Sequence, residues 1–247
     1  MLRGIIMKRF VCALTLVLAL SAAAIASYDE ALKLYNDRQY KESLAKIASE
    51  LSVERDFEQN SPNYELRYLA AHNHWKLGNF DNAILHLKKC ADIQKDILDP
   101  QIDIALILID AKRFRDAEAS ATKALTLQKH PLVYFLLGKV NYGLGNYPKA
   151  KEYFEKAIAL NPELYIAYNG LGMTLVKMNR YSNANIAFAA AHSIAPASSE
   201  ILNNLGLSFE YLGKDEDALA SYQKATEKNP DNQVIQQNYA RLKDKKR

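Results

Sequence analysis

Large and small apolar residues return along this chain at a fixed interval, with polar residues filling the positions between them. Gly145, Tyr147, Pro148 and Ala150 are followed by Phe154, Ala157 and Pro162. Thirty-four residues later come Asn179, Tyr181, Ala184, Phe188, Ala191 and Pro196, and after another 34 come Gly213, Asp215, Ala218, Tyr222, Ala225 and Pro230. The same frame holds upstream of each set: Tyr134, Leu137 and Gly138, then Tyr168, Leu171 and Gly172, then Leu202, Leu205 and Gly206. A 34-residue period of this kind predicts stacked units of two helices joined by a tight turn. Gly145, Asn179 and Gly213 stand where the turn needs a left-handed backbone. Pro148 opens a second helix, where its missing N–H costs nothing. Pro162, Pro196 and Pro230 end second helices. Gly138, Gly172 and Gly206, with Ala150, Ala184 and Ala218, allow helices to approach closely, while Phe154, Phe188 and Tyr222 fill the space beside them.

Toward the N-terminus the pattern weakens without vanishing. Gly78 to Ala83 opens a second helix, with Cys90 at a position that elsewhere holds alanine. Lys112 to Ala117 does the same, in a copy one residue short, since Phe114 to Tyr147 spans 33. Tyr35, Arg38, Tyr40 and Ser43 fit the frame loosely, and an extra stretch, Leu51 to Asn63, follows them; its end reads as a loop or a helix overrun.

These residues resemble the tetratricopeptide repeat family, over roughly Ser27 to Asn232, near consensus in the last three copies and degenerate in the first. The resemblance implies an all-α, right-handed superhelical solenoid of antiparallel helix pairs, about six repeats plus a capping helix. The expected divisions are a signal peptide at 1–26 and a degenerate repeat with insertion at 27–63. Repeats follow at 64–97, 98–130 (one residue short), 131–164, 165–198 and 199–232, and a cap at 233–247. In that cap, polar Gln236, Gln237 and Lys243 beside apolar Val234, Ile235 and Tyr239 suit a helix that closes a stack.

The first 26 residues stand outside the repeats. Lys8 and Arg9 precede an uncharged run from Phe10 to Ala26 that ends in small residues, the layout of a secretory signal cut after Ala26. Met7 offers a second start next to the basic pair. The competing reading is an uncleaved membrane anchor, although the run is at the short limit for spanning a bilayer. Cys12 lies too early, and behind the wrong residues, for lipid attachment. Export changes the charge balance. Of 32 Lys+Arg, three (Arg3, Lys8, Arg9) lie in this segment, leaving 29 against 28 Asp+Glu, so nothing concentrates positive charge for nucleic acid. Only Cys90 remains of two cysteines, so no intrachain disulfide forms despite an oxidising destination.

Chemistry-bearing motifs are few. His72, His74, His86 and Cys90 share one repeat, but His72 and His74 point to different sides of a helix and no metal-ligand spacing supports a site. No nucleophile elbow, phosphate loop or paired-histidine motif occurs, so the expectation is no catalytic residue, no metal and no cofactor. Asn169, Asn203 and Gln237 recur every 34 residues on first helices, as do Asn204 and Asn238. The resemblance places this face in a concave groove where amides bond the backbone of a bound peptide; consensus drift explains the same spacing equally well. One turn on, Lys139, Met173, Leu207 and Arg241 make a lining that is cationic at both ends and apolar between. Phe135, Gly170 and Asn203 stand where relatives that clamp acidic chaperone tails carry cations, which argues against that partner. Ile102, Ile104, Leu106, Ile107, Leu108 and Ile109 make one first helix apolar nearly all round. It calls for cover from the extra stretch, from a partner, or from additional core packing.

The resulting expectation is an exported, periplasmic, non-enzymatic scaffold of the cell envelope that binds other proteins or extended peptide segments. Pilus, secretion or outer-membrane assembly are its settings, and the membrane takes part only if the signal segment stays uncleaved. A chaperone-like client binder is the alternative, and a hydrolase the remote third.

Overall fold

The computed structural model describes residues 22–53 and 62–245. The expected signal segment up to residue 21, most of the extra stretch and the last two residues lie outside the described residues. Within them the chain forms thirteen helices and no strand. They are α1 (Ala22–Asn36), α2 (Tyr40–Val53), α3 (Pro62–Lys76), α4 (Phe80–Ile93), α5 (Asp99–Asp110), α6 (Phe114–Leu127) and α7 (Pro131–Gly143). Then come α8 (Tyr147–Leu160), α9 (Tyr165–Lys177), α10 (Tyr181–Ile194), α11 (Ser199–Tyr211), α12 (Asp215–Lys228) and α13 (Gln233–Lys245).

Two compact units divide the chain within α5, after Ile107. In the first, α1 packs on α2, α2 and α1 on α3, and α3 on α4. In the second, each helix from α6 to α13 packs on the next, and α9 touches both α7 and α11, so first helices form a layer of their own.

Six turns carry the fold, one within each pair. Arg38, Gly78, Lys112, Gly145, Asn179 and Gly213 are the positive-φ residues among those described, with φ between 58° and 80°. The turn hydrogen bonds repeat as well: Asn79, Arg113, Asn146, Arg180 and Lys214 each donate their N–H to a carbonyl five residues back, at 2.8–2.9 Å. Arg38 and Lys112 thus hold the left-handed conformation without being glycine, which identifies their copies as true repeats. The short copy loses its residue between units: α6 and α7 are joined by 128–130, whereas α8 and α9 are joined by 161–164. His130 closes that shortened link by accepting the Leu132 N–H on Nδ1 at 3.2 Å.

Close approach is set by small residues facing large ones. A Cβ built on Gly138 or Gly170 falls 2.7 or 2.6 Å from the ring of Phe154, one on Gly172 falls 2.5 Å from Phe188, and one on Gly206 falls 2.8 Å from Tyr222. Phe154 is therefore held between the first helix of its own repeat and that of the next. All three rings are buried, and they have no room to yield. In the first unit Ala31 and Ala71 take the glycine position, with Ile47 and Leu87 opposite, all buried. Ser43 stands where other copies have alanine. Its Oγ donates to the Ala31 carbonyl at 2.8 Å and accepts from Asn73 Nδ2 at 2.9 Å, so a buried hydroxyl is satisfied between three helices.

Helix α5 is buried at every residue from Pro100 to Ile109. On α13, Ile235 and Leu242 are buried while Gln236, Gln237 and Lys243 are exposed. Ala240, at the frame position of Gly206, is exposed.

Three stability experiments follow. Lys112→Gly should raise stability by about 0.5–1 kcal/mol, because a left-handed side chain costs about 1–2 kcal/mol and the glycine gives back part in unfolded-state entropy. Gly145→Ala should lower it by about 1 kcal/mol for purely conformational reasons, since its Cβ would meet nothing within 4 Å. Gly172→Ala, by contrast, should cost about 1–3 kcal/mol through overpacking against Phe188. Urea denaturation followed by circular dichroism measures all three.

Candidate binding face of the first helices

The second unit's first helices, α7, α9, α11 and α13, set their side chains in rows because the 34-residue period returns each position to the same face. The amides expected to form a ladder do form one, but between repeats. Asn169 Nδ2 donates to Glu200 Oε1 at 3.0 Å, and Asn169 Oδ1 accepts from Asn204 Nδ2 at 2.9 Å. Asn238 Nδ2 donates to Asn203 Oδ1 at 2.9 Å. The two amide–amide rungs each link residues 35 apart, one repeat plus one position. Asn169 is buried and its oxygen and nitrogen are both engaged; Asn203, Asn204 and Asn238 are half-buried and Gln237 is exposed. The amides therefore hold the repeats in register and present only their remaining donors and acceptors outward.

The second row behaves differently from its expected charge pattern. Arg241 grips Glu210 with both terminal nitrogens, at 2.6 and 2.7 Å, and the Tyr222 hydroxyl donates to the same carboxylate at 3.1 Å. Those bonds hold the Glu210 carboxyl below its ordinary range, Arg241 contributing most. Arg241 is thus neutralised within the chain. Leu207 packs on the cluster of Ala218, Tyr222 and Leu242. Met173 is exposed (36%). Lys139 is half-buried with its ammonium 5.8 Å from the Phe135 ring centre. Burial pushes Lys139 below the usual lysine value, and Asp110 and Glu200 oppose that shift. The face therefore offers one cation at its α7 end, an exposed methionine, and amides beyond.

The first unit repeats the rung with other chemistry. Tyr68 and Asp103 are also 35 apart, and the Tyr68 hydroxyl donates to Asp103 Oδ2. His72, in the frame position of Lys139, brings Nε2 to 3.2 Å from the same oxygen. Burial and the Asp103 charge drive the Tyr68 phenol well above its ordinary value. Tyr64 stacks on Tyr68, with ring centres 5.7 Å apart. Neither Tyr68 nor Asp103 is recognisable as polar ladder members by residue type; only the frame, carried back from Asn169 and Asn204, reveals them. On the other side of α3, His74 stacks on His86 with ring centres 5.5 Å apart. Cys90 is buried against the Tyr64 carbonyl, 3.5 Å from Sγ to oxygen, and burial pushes its thiol far up. Among the described residues, no three metal-ligating side chains come together.

Deleting one amide of a rung should be felt in stability. Asn204→Ala leaves the buried Asn169 oxygen without its donor and should cost about 1 kcal/mol, with Asn169→Ala adding less than its full effect in the double variant. Additive losses would show the rung to be energetically empty.

Comparison with known proteins agrees with this architecture. Tetratricopeptide repeat profiles match residues 64–97, 131–164 and 199–232. Among curated relatives, anaphase-promoting complex subunit 3 of Schizosaccharomyces pombe is 34% identical over 92 residues, covering 37% of this chain and 14% of that protein. Tetratricopeptide repeat protein 6 of Homo sapiens is 24% identical over 173 residues, covering 68% and 33%. The chain thus spans a third or less of the length of these relatives. Among solved structures, MamA is 26% identical with a TM-score of 0.55, over 65% of this chain and 94% of that one. PilW, described as a type IV pilus biogenesis factor, aligns over 88% and 98% with a TM-score of 0.72 at 16% identity, a likeness of fold. YrrB, a repeat protein with an unusual peptide-binding site, aligns over 76% and 95% with a TM-score of 0.53 at 19% identity, again a likeness of fold. With the frame, the six left-handed turns and three matched profiles in agreement, this chain is a tetratricopeptide-repeat protein.

Proposed function

We propose that this protein is a non-enzymatic interaction scaffold, exported to the cell envelope, that holds an extended segment of another protein against the first helices of its second unit. The observation carrying this reading is the row itself: half-buried Lys139, exposed Met173, half-buried Asn203 and Asn204 and exposed Gln237 fall on the successive first helices α7, α9, α11 and α13. A half-buried ammonium supplies donors, a thioether supplies a soft apolar contact, and primary amides supply both donors and acceptors to a peptide backbone. The rungs that tie Asn169, Asn204, Asn203 and Asn238 together stiffen that row before anything binds, which lowers the ordering cost of association.

Support for the envelope comes from the N-terminal segment, whose basic start, apolar run and small-residue ending read as an export signal. Cleavage after Ala26 leaves Ser27–Asn36 of α1, with buried Ala31 and Tyr35 in place. The fold likeness to a pilus biogenesis factor makes assembly of an envelope machine the leading setting, and recognition of extended clients the second.

Crosslinking in intact cells, with the partner identified by mass spectrometry, tests the reading. A few stoichiometric envelope partners are expected; a broad spread of weak ones would favour the client binder. Lys139→Glu combined with Met173→Asp should weaken capture at least tenfold while helicity is unchanged, and undiminished capture by that variant would move the site off this face. N-terminal sequencing of the purified protein should begin at Ser27.

A further inference from the structure

Helix α3 carries histidines on two sides, in opposite electrostatic settings. His72 faces a carboxylate, with Nε2 3.2 Å from Asp103. His74 faces another imidazole, stacked on His86 of α4 at 5.5 Å with the rings 20° from parallel. In both stacked rings the buried nitrogen is Nδ1, and neither Nδ1 has a hydrogen-bond partner. A neutral imidazole tolerates this, because its bare Nδ1 needs no acceptor when the proton rides on Nε2. A second proton changes the balance: it places an N–H where no acceptor waits and a positive charge against the other ring.

We infer that the His74–His86 pair is an acid-released latch, in which proton uptake separates α3 from α4 and opens the 64–97 repeat. The surroundings offer the charge no shelter. Arg67, on α3, acts on His86 in the same sense as His74, and both oppose protonation. No carboxylate is among the charges acting on His74 or His86, although Glu65 and Asp103 act on Cys90. Asp99 and Asp103 on α5 act on Tyr64 and Tyr68, Glu65 on α3 acts on Tyr28 of α1, and Lys46 on α2 pairs with Glu30 of α1. Cys90, one turn along α4 from His86, stays a neutral thiol.

The sign follows from the same geometry. His86 is held down to about 4 and His74 is lowered as well, both chiefly by burial. The folded repeat thus binds fewer protons than the unfolded one in the interval from about 6.5 down to about 4. Its stability is complete above that interval and falls as pH falls through it. Across the α3 helix His72 lies against Asp103, with Nε2 3.2 Å from Oδ2. Acid therefore loosens α3 from α4, its own repeat partner.

Amide hydrogen exchange of the full chain at pH 7.5 and 4.5, corrected for intrinsic rates, tests this. Protection in α3 and α4 should fall about tenfold or more before that in α8 to α12 changes. His74→Phe/His86→Phe, which keeps two stacked rings, should abolish the acid response. If that variant does not fold, the wild-type ring protons decide by NMR: both histidines should titrate below the free value, as the repeat opens. A latch of this kind is overturned if the whole chain loses protection together, or if the double variant keeps the response. Loss that begins at α7, or rings that titrate at the free value, would overturn it equally.

Discussion

The distance between neighbouring helices governs everything else in this chain, and a missing side chain sets it. Where Gly138, Gly170, Gly172 and Gly206 meet Phe154, Phe188 and Tyr222, a single added carbon would overlap a buried ring. A helix pair built on that contact cannot shelter its own outer faces, so it needs the next pair, and Phe154 shows how the need is met: one ring serves two repeats. The interval of 34 residues follows from this arrangement, because each unit must return its small residue and its ring to the same relative place. The rows of side chains on the first helices are a by-product of the same return.

Those rows explain why the asparagines are both structural and available. Offsetting each rung by one position past the repeat lets an amide on one helix reach across to the next, as Asn204 reaches Asn169 and Asn238 reaches Asn203. The Tyr68–Asp103 contact obeys the same offset with a phenol and a carboxylate. The rung is thus a property of the frame rather than of asparagine, and chemistry can vary along it. Toward the C-terminus it is neutral and half-exposed. In the first unit it is part-buried and joins a phenol to a carboxylate.

The fold was legible in the sequence because the residues that determine it are few and extreme. Glycine, alanine, proline and a large ring occupy positions where no average residue works, so the period stands out even where other positions drift. Arg38 and Lys112 were harder to read, since nothing about arginine or lysine announces a left-handed turn; only their place in the frame does. The candidate site was legible at the level of rows but not of bonds. Recurrence put Asn169, Asn203 and Asn204 on one face, yet whether an amide points to a partner or to its neighbour depends on a one-position offset between adjacent helices. Arg241 shows the same gap. Its spacing marked it as a lining cation, while Glu210, on the preceding repeat, had already taken its charge.

On the binding role proposed for this face, the exposed remainder of the row sets its selectivity. With Arg241 paired to Glu210 and Leu207 drawn into the core, the only lining cation left on the row is Lys139, and it sits under the opposing influence of Asp110 and Glu200. A strongly acidic segment would gain one contact and meet two like charges, whereas a strongly basic one would meet the ammonium. A mixed, largely neutral segment avoids both penalties, and its backbone is what the amides are equipped to hold. On that proposed role the face disfavours net charge and favours extended backbone, with affinity supplied by apolar contact at Met173 and by the register of the amides.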